Sequence, residues 1–312
     1  MNDFILDSPN APLETLRNTN KYTCWRISEE NKFIPSYNTI PQLPAGKYRI
    51  QWNSNENAYG FNKEEIYADE LLDLPNGIFQ DVLQSIDYFW SHKDLFEKYK
   101  FVYKRGILLH GNPGCGKTSL LALLAEQIIQ RNGIIFSIQN TDDLFNYNRE
   151  LKNSFRIIQP HTPVLTVFED LDGLVSRPED EVVLLNILDG INQMNNIVNV
   201  GCTNHPEKLQ ERILNRPSRF DKKYYIGLPD IKVRKYYFEN KIKSEDIEVF
   251  GGKKFIDDIA IKTEGLTLAH LSEFIKSVFI FKNSVEDTLD VLFNMKYTTK
   301  NKDESPTIGF KK

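Results

Sequence analysis

Hydrophobic and polar positions along the chain fall into three regimes. Over residues 1–78, short strand-like runs at 22–27, 46–52 and 59–67 are separated by polar turn residues and by Pro35, Pro41 and Pro44. A helical spacing comes next between 78 and 103, with Val82, Leu83, Ile86, Phe89, Trp90, Leu95 and Phe96 on the apolar side. Apolar strands at 105–110, 133–138, 163–168, 197–203 and 222–226 then alternate with helices to about residue 228. This alternation predicts an α/β unit, a parallel sheet with crossover helices on both faces. After Leu228-Pro229-Asp230 the spacing is helical throughout, at 231–242, 254–263, 268–281 and 285–294, which predicts a small α-helical domain. Residues 297–312 are polar and charged, and a loose tail is expected there. The expected organisation is therefore a short β-rich unit (1–78), an α/β domain (79–228), a helical lid (229–296) and a tail (297–312).

Composition adds limits to this picture. A chain of 312 residues, 40% of them apolar, has material for more than one unit and a sizeable core. The net charge is only −4, and residues 1–78 account for all of it with eleven acidic and seven basic side chains. Such a balance gives no electrostatic grip on nucleic acid or an anionic membrane surface. No run of about 18 apolar residues occurs, and the N-terminus lacks the basic-then-apolar order of a secretion signal, so no membrane span is expected. Cys24, Cys115 and Cys202 are scattered without metal-ligand spacing, as expected of a reducing, cytoplasmic setting.

The chemistry begins at Gly111-Asn112-Pro113-Gly114-Cys115-Gly116-Lys117-Thr118, a complete G-x-x-x-x-G-K-[ST] phosphate loop between a predicted strand and a predicted helix. Its glycines let backbone N–H groups turn towards phosphate, Lys117 reaches the β- and γ-phosphates, and the Thr118 hydroxyl suits Mg²⁺. The dipole of a helix starting near Ser119 faces the same point. Asn112, Pro113, Gly114, Cys115, Gly116, Lys117, Thr118 and Ser119 are the candidate nucleotide-binding residues, with ATP and Mg²⁺ as the expected ligands.

About fifty residues further on, Val164-Leu-Thr-Val-Phe runs into Glu169-Asp170-Leu-Asp172, an apolar strand ending in carboxylates. One acid there serves Mg²⁺ and the next serves the attacking water. A register shifted by one would put Leu171 at the water, so Glu169 is assigned to the metal and Asp170 to the water. Asn204 comes after the strand at 197–203, where it orients water beside the γ-phosphate or serves as an ordinary turn residue. Arg216 and Arg219, three apart around Pro217-Ser218, either project into a neighbouring subunit's site or form a surface ion cluster with Glu211 and Asp221.

Taken together, these motifs resemble the AAA+ ATPases, P-loop NTPases, and within them the classical AAA group. The stretch 199–221, with Val-Gly-Cys-Thr-Asn-His-Pro-Glu and then Arg-Pro-Ser-Arg-Phe-Asp, resembles that group's second region of homology, and the likeness covers 74–295. The Glu-Asp order and the subsequent Leu185-Asn-Ile-Leu-Asp-Gly190 are similar to the branch holding the mitochondrial Rieske-protein translocase, and to soluble prokaryotic and phage members. The resemblance implies an α/β nucleotide domain, a helical lid and a hexameric homo-oligomeric ring with sites between subunits. It carries Lys117 and Thr118 onto Walker A, Glu169 and Asp170 onto Walker B, Asn204 onto sensor 1, and Arg216 and Arg219 onto the arginine fingers. The lid stretch Glu264-Gly265-Leu-Thr-Leu268-Ala269-His270 has no sensing arginine, and Leu268-Ala269 stands where the group has Gly-Ala. Group members thread protein past an aromatic pore residue, and Phe145 and Tyr147 are the aromatics in that region here. The implied function is an ATP-hydrolysing ring motor that remodels, unfolds or disassembles a protein partner. The alternatives are a nucleic-acid-associated motor or loader, which a basic pore stripe would support, and a non-catalytic nucleotide switch, against which the full set of acids and arginines counts.

Overall fold

The computed structural model describes residues 24–29, 32–36, 40–54, 58–66, 72, 74–75, 77–189 and 194–300. The chain forms β1 (Cys24–Glu29), β2 (Lys32–Ser36), β3 (Gly46–Asn53) and β4 (Ala58–Glu64), then α1 (Gly77–Ser91) and α2 (Lys93–Lys98). It continues through β5 (Lys104–His110), α3 (Lys117–Gln130), β6 (Ile134–Ile138), α4 (Thr141–Glu150) and α5 (Arg156–Ile158). Next come β7 (Val164–Phe168), α6 (Leu171–Leu174), α7 (Pro178–Asp189), β8 (Ile197–Thr203), α8 (Glu211–Leu214) and β9 (Lys222–Tyr225). Helices α9 (Ile231–Lys241), α10 (Ser244–Val249), α11 (Lys253–Lys262), α12 (Leu268–Ile275) and α13 (Val285–Lys300) complete the order.

Seven strands make one sheet in the order β4-β3-β6-β7-β8-β5-β9, parallel except for the antiparallel β3–β4 hairpin at its edge. Strands β6, β7 and β8 are buried at every position, as expected where helices cover both faces and both side-chain sets need apolar partners. On one face α1, α3 and the helices after residue 229 pack around Ile107, Leu109, Val198 and Val200. On the other, α4, α7 and α8 pack around Leu108, Phe136, Phe168 and Ile197.

Three differences from the sequence-based expectation have physical causes. The boundary expected at residue 78 divides the sequence but not the sheet. Gly46, Lys47 and Tyr48 pair with Ile134, Ile135 and Phe136 of β6, and the alternation of β3 buries Tyr48 and Ile50. Arg49, pointing to the other side, donates to the buried Asp143 of α4 at 2.8 Å. The strand runs expected to form an appendage thus complete the main sheet, while β1 and β2 form a separate two-stranded ribbon.

The second difference is at the aromatics of α4. Tyr147 is fully buried, with its hydroxyl 2.5 Å from Thr166 Oγ1, whereas Phe145 is 43% exposed. They lie two residues apart on a helix, so they face different sides and cannot act as an exposed pair. Both aromatics lie within α4, and helical backbone continues from it through a π-helical turn at Leu151–Phe155 into α5.

The third is at the C-terminal side. Helix α13 reaches Lys300, beyond the expected end at 294, because neither Gly nor Pro interrupts 295–300. The rest of the expected tail, and residues 1–23, lie outside the described residues. Among the described residues no helix is long and apolar enough to cross a membrane.

The Arg49–Asp143 pair joins the hairpin to α4, and Asp143 also accepts from the Gln139 N–H at 3.1 Å. We expect Asp143→Ala to lower stability by about 2 kcal/mol, since it strands a hydrogen-bonded guanidinium and a backbone donor. Arg49→Ala should cost less, because Asp143 keeps its backbone donor. Urea unfolding of the two variants checks the order.

Candidate functional site

The C-terminal ends of β5, β7 and β8 lie side by side, with His110 opposite Thr203 and Phe168 opposite Gly201. The segments that leave these three strands therefore converge on one point. A cleft of about 720 Å³ opens there, a size typical of small-molecule sites. It is lined on the sheet side by Pro113, Gly114, Gly116, Lys117, Thr118 and Ser119, by Glu169 and Asp170, and by Asn204. Across it stand Tyr237 and Lys241 of α9 and Leu268, Ala269, Ser272 and Glu273 of α12.

The phosphate loop takes its shape from backbone that only glycine adopts freely. Gly114 has φ +76, and a Cβ there would lie 2.9 Å from both Thr267 Oγ1 and Ala269 Cβ. The loop is that close because the Ala269 N–H donates to the Gly114 carbonyl at 3.0 Å, tying the start of α12 to the loop. Gly116, also left-handed, caps α3 without a side-chain bond. The first N–H groups of α3 thus have no side-chain cap, the arrangement that receives an anion. Lys117 Nζ donates to the carbonyls of Gly111 and Asn112 at 2.6 and 3.0 Å. Burial pulls its pKa below the ordinary lysine range, opposed by the nearby Cys202, Cys115 and Asp170.

Two predicted binding residues do not face the cleft. Cys115 is 2% exposed and sits in the apolar core, so only its backbone is available to a ligand. Asn112 is exposed and does not line the cleft. Cys202 does line it, but burial pushes that thiol up to about 12, so it stays protonated at neutral pH.

The carboxylates are held individually. Ser137 Oγ on β6 donates to Glu169 Oε1 at 2.8 Å. Asp170 has left-handed backbone, φ 47 and ψ 55, at the start of α6, a conformation Asp tolerates better than most residues. Asp172 accepts from Thr203 Oγ1 at 2.6 Å, and the His205 N–H donates to the same oxygen at 2.9 Å, so the turns after β7 and β8 are bonded to each other. Asn204 Oδ1 is buried in the cleft wall without a hydrogen-bond partner among the described residues. A buried amide oxygen left so is costly unless a ligand or solvent meets it. The Thr118 hydroxyl and the Glu169 carboxylate are hard oxygen donors, the kind Mg²⁺ takes together with phosphate oxygens and water. Among the described residues no group of three His, Cys, Asp or Glu side chains forms a metal cage.

The arginines divide. Arg219 is 6% exposed and its Nε donates to Asp189 Oδ2 at 3.0 Å, with Nη1 on the Arg212 carbonyl. Ser218 Oγ donates to the same Asp189 oxygen at 3.0 Å. Arg216 touches Asp189 at 3.3 Å but keeps a side chain that is 62% exposed. The expectation that both arginines project is therefore corrected: only Arg216 does, because Asp189 internalises Arg219. The surface cluster with Glu211 and Asp221 does not form as expected either. Asp221 pairs with Arg105, and Glu181 pairs with Arg212. Neither Arg216 nor Arg219 lines this chain's own cleft.

Sequence reasoning alone passed over Ser137, Thr203, Asp189 and the lid residues Tyr237 and Lys241. Ser137 had one signal, a lone hydroxyl within Ile-Ile-Phe-Ser-Ile. The other contacts join segments far apart in sequence and leave no local pattern.

Residues 107–228 match the sequence profile of the ATPase family associated with various cellular activities (AAA), so the chain carries an AAA ATPase domain. It is 28% identical over 302 residues to the "Putative cell division cycle ATPase" of Plasmodium falciparum, covering 88% of this chain and 24% of that protein. It is 28% identical over 189 residues to the "ATPase histone chaperone YTA7" of Saccharomyces cerevisiae, covering 56% of this chain and 14% of that protein. It is 27% identical over 214 residues to a "Proteasome-associated ATPase" of Thermobifida fusca, covering 57% of this chain and 36% of that protein. The chain thus spans well under half the length of each of these relatives.

The packing sets two contrasts in stability. A methyl at Gly114 meets the lid and a positive φ together, so Gly114→Ala should cost about 1–3 kcal/mol and loosen α12 in hydrogen exchange. Arg219→Ala should cost roughly 3 kcal/mol by leaving Asp189, 8% exposed, short of its main cation. Arg216→Ala should cost less than about 1 kcal/mol, as an exposed partner does. Urea unfolding of both arginine variants reads the contrast.

Proposed function

We propose that this chain hydrolyses ATP with Mg²⁺ and, assembled as a homo-oligomeric ring of hexameric type, spends the energy on remodelling, unfolding or disassembling a protein partner. The observation that carries this reading is the gathering of loop, carboxylates, Asn204 and lid around one cleft while Arg216 stands outside it. A site with every part except its arginine is what sharing between subunits requires. The relatives' names, a histone chaperone and a proteasome-associated ATPase among them, support a protein client. A nucleic-acid track has less support, since Arg149 beside exposed Phe145 already contacts Glu150 and Tyr59. The buried, unpaired thiols of Cys115 and Cys202 in and beside the loop favour a reducing, cytoplasmic setting.

In this reading the loop amides and Lys117 hold the β- and γ-phosphates, and the Thr118 hydroxyl and Glu169 would hold the cation. Mg²⁺, when bound, offsets charge on the phosphate oxygens. Asp170 and Asn204 orient water in line with the γ-phosphorus. As the water oxygen bonds to phosphorus, the bond to the β–γ bridging oxygen breaks and ADP leaves with the electron pair. The water's proton passes towards Asp170. Arg216 of an adjoining subunit would neutralise charge on the transferring group, an effect typically worth about 10³-fold or more.

Lys117→Ala should weaken ATP affinity about tenfold or more, from the loss of a charged hydrogen-bond donor; unchanged affinity by titration would remove the loop assignment. Asp170→Asn should keep ATP binding and lose about 10²-fold or more in turnover. Turnover per subunit should rise with protein concentration until rings saturate. Mixing Arg216→Ala subunits with Asp170→Asn subunits should restore part of the hydrolysis, because some sites pair intact acids with an intact arginine. A mixture that forms mixed rings yet stays inactive rules out sharing.

A further inference from the structure

Strand β6 is Ile134-Ile135-Phe136-Ser137-Ile138, and its one polar side chain is only 2% exposed. A buried hydroxyl needs a partner, and the partner Ser137 finds is the Glu169 carboxylate at 2.8 Å. The register explains the choice. Ser137 lies opposite Val167 on β7, so Glu169, two residues on, occupies the same face one step towards the cleft. The Glu169 N–H donates to the Ile138 carbonyl at 3.0 Å, which fixes the backbone from which the side chain starts. A diagonal neighbour of this kind is reached only by a long side chain. An aspartate at 169, shorter by about 1.5 Å, would fall out of hydrogen-bond range of the same hydroxyl. Gln139 Nε2 completes the row, donating to Ser137 Oγ at 3.3 Å.

We propose that Ser137 is a positioning residue for Glu169, and that its hydroxyl fits the site to glutamate rather than aspartate at the metal-side position. The hydroxyl fixes one carboxylate oxygen, Oε1, and leaves Oε2 to face the cation. This inference rests on the assignment of Glu169 to the metal given above. It accounts for the order Glu169-Asp170: the longer acid is restrained sideways, and the shorter one begins from the left-handed turn next to it. Without the hydroxyl, Glu169 would sample rotamers that point past the cation, and its extra methylene would become a loss of order.

The test is Mn²⁺ binding to the full chain with a non-hydrolysable ATP analogue, read by electron paramagnetic resonance, beside nucleotide affinity measured in EDTA. Ser137→Ala should weaken Mn²⁺ about tenfold, the usual effect of losing a group that orients a metal ligand, with metal-free nucleotide affinity unchanged. Ser137→Thr, which keeps the hydroxyl, should stay within about twofold of the parent. Glu169→Asp should weaken Mn²⁺ by itself, and adding Ser137→Ala to it should change little further, because the bond is already gone. Glu169→Gln is the control: if it leaves Mn²⁺ binding intact, the assignment of Glu169 to the metal fails. If it weakens Mn²⁺ and Ser137→Ala does not, the positioning role fails alone. Additive losses from Ser137→Ala and Glu169→Asp would equally overturn it.

Discussion

The register of three parallel strands governs the rest of this structure. Because β5 and β8 pair from Lys104–Ile197 to His110–Thr203, and β8 pairs with β7 up to Gly201–Phe168, the three chains leave the sheet at one level. The phosphate loop, the two acids and Asn204 are then neighbours without further design. A slip of one residue in β7 would turn Glu169 to the opposite face and Val167 out of its core. The all-apolar burial of β6, β7 and β8 is what forbids such a slip. The core is thus the device that keeps the site in register.

That dependence explains which parts of the molecule the sequence revealed. Buried strands read as continuous apolar runs, and the phosphate loop and the strand-end acids sit at fixed offsets from them. The five α/β strands and the cleft residues Gly114, Gly116, Lys117, Thr118, Glu169, Asp170 and Asn204 were legible for that reason. The hairpin β3–β4 was visible as two strands, but its joining of β6 across about eighty residues was not. Edge pairing uses backbone groups, which every residue carries, so no side-chain pattern announces it. The burial of Tyr147 was not legible because a helical aromatic shows its face only once the neighbouring strand, with Thr166 at its centre, is in place.

The lid illustrates the same limit at closer range. Leu268-Ala269 stands in place of Gly-Ala, yet Ala269 makes a backbone bond, to the Gly114 carbonyl, that any residue could make. The identity of the side chain matters less there than its smallness, since Gly114 and Ala269 approach until a single added methyl would lie 2.9 Å away. Helix α12 is held at that distance by its own start. Thr267 and His270 cap each other, so the first turn is rigid where it meets the loop. The loop and the start of α12, which both line the cleft, are thus already bonded to each other.

The separation of Arg216 from Arg219 reflects what a burial site asks of a charge. A guanidinium 6% exposed must be paired, and Asp189 satisfies it at the desolvation cost of two ions. Buried pairs seldom add net stability, so the gain here is geometric. The backbone of Arg219 lies so close to β5 that a Cβ on Gly106 would sit 1.7 Å from its carbonyl oxygen. On the far side, Asp221 accepts from the Gly106 N–H and from Arg105. The backbone of the turn at 216–219 thus packs closely against β5, one strand in from the sheet edge, and its side chains tie it to the end of α7. Arg216 projects from that base, and its long side chain retains freedom only in its own torsions. In the shared site proposed above, transition-state stabilisation would fall off steeply with misplacement, so a fixed base would be worth more than a second exposed arginine. On that reading Arg219, buried and paired with Asp189, serves as the foundation on which Arg216 stands.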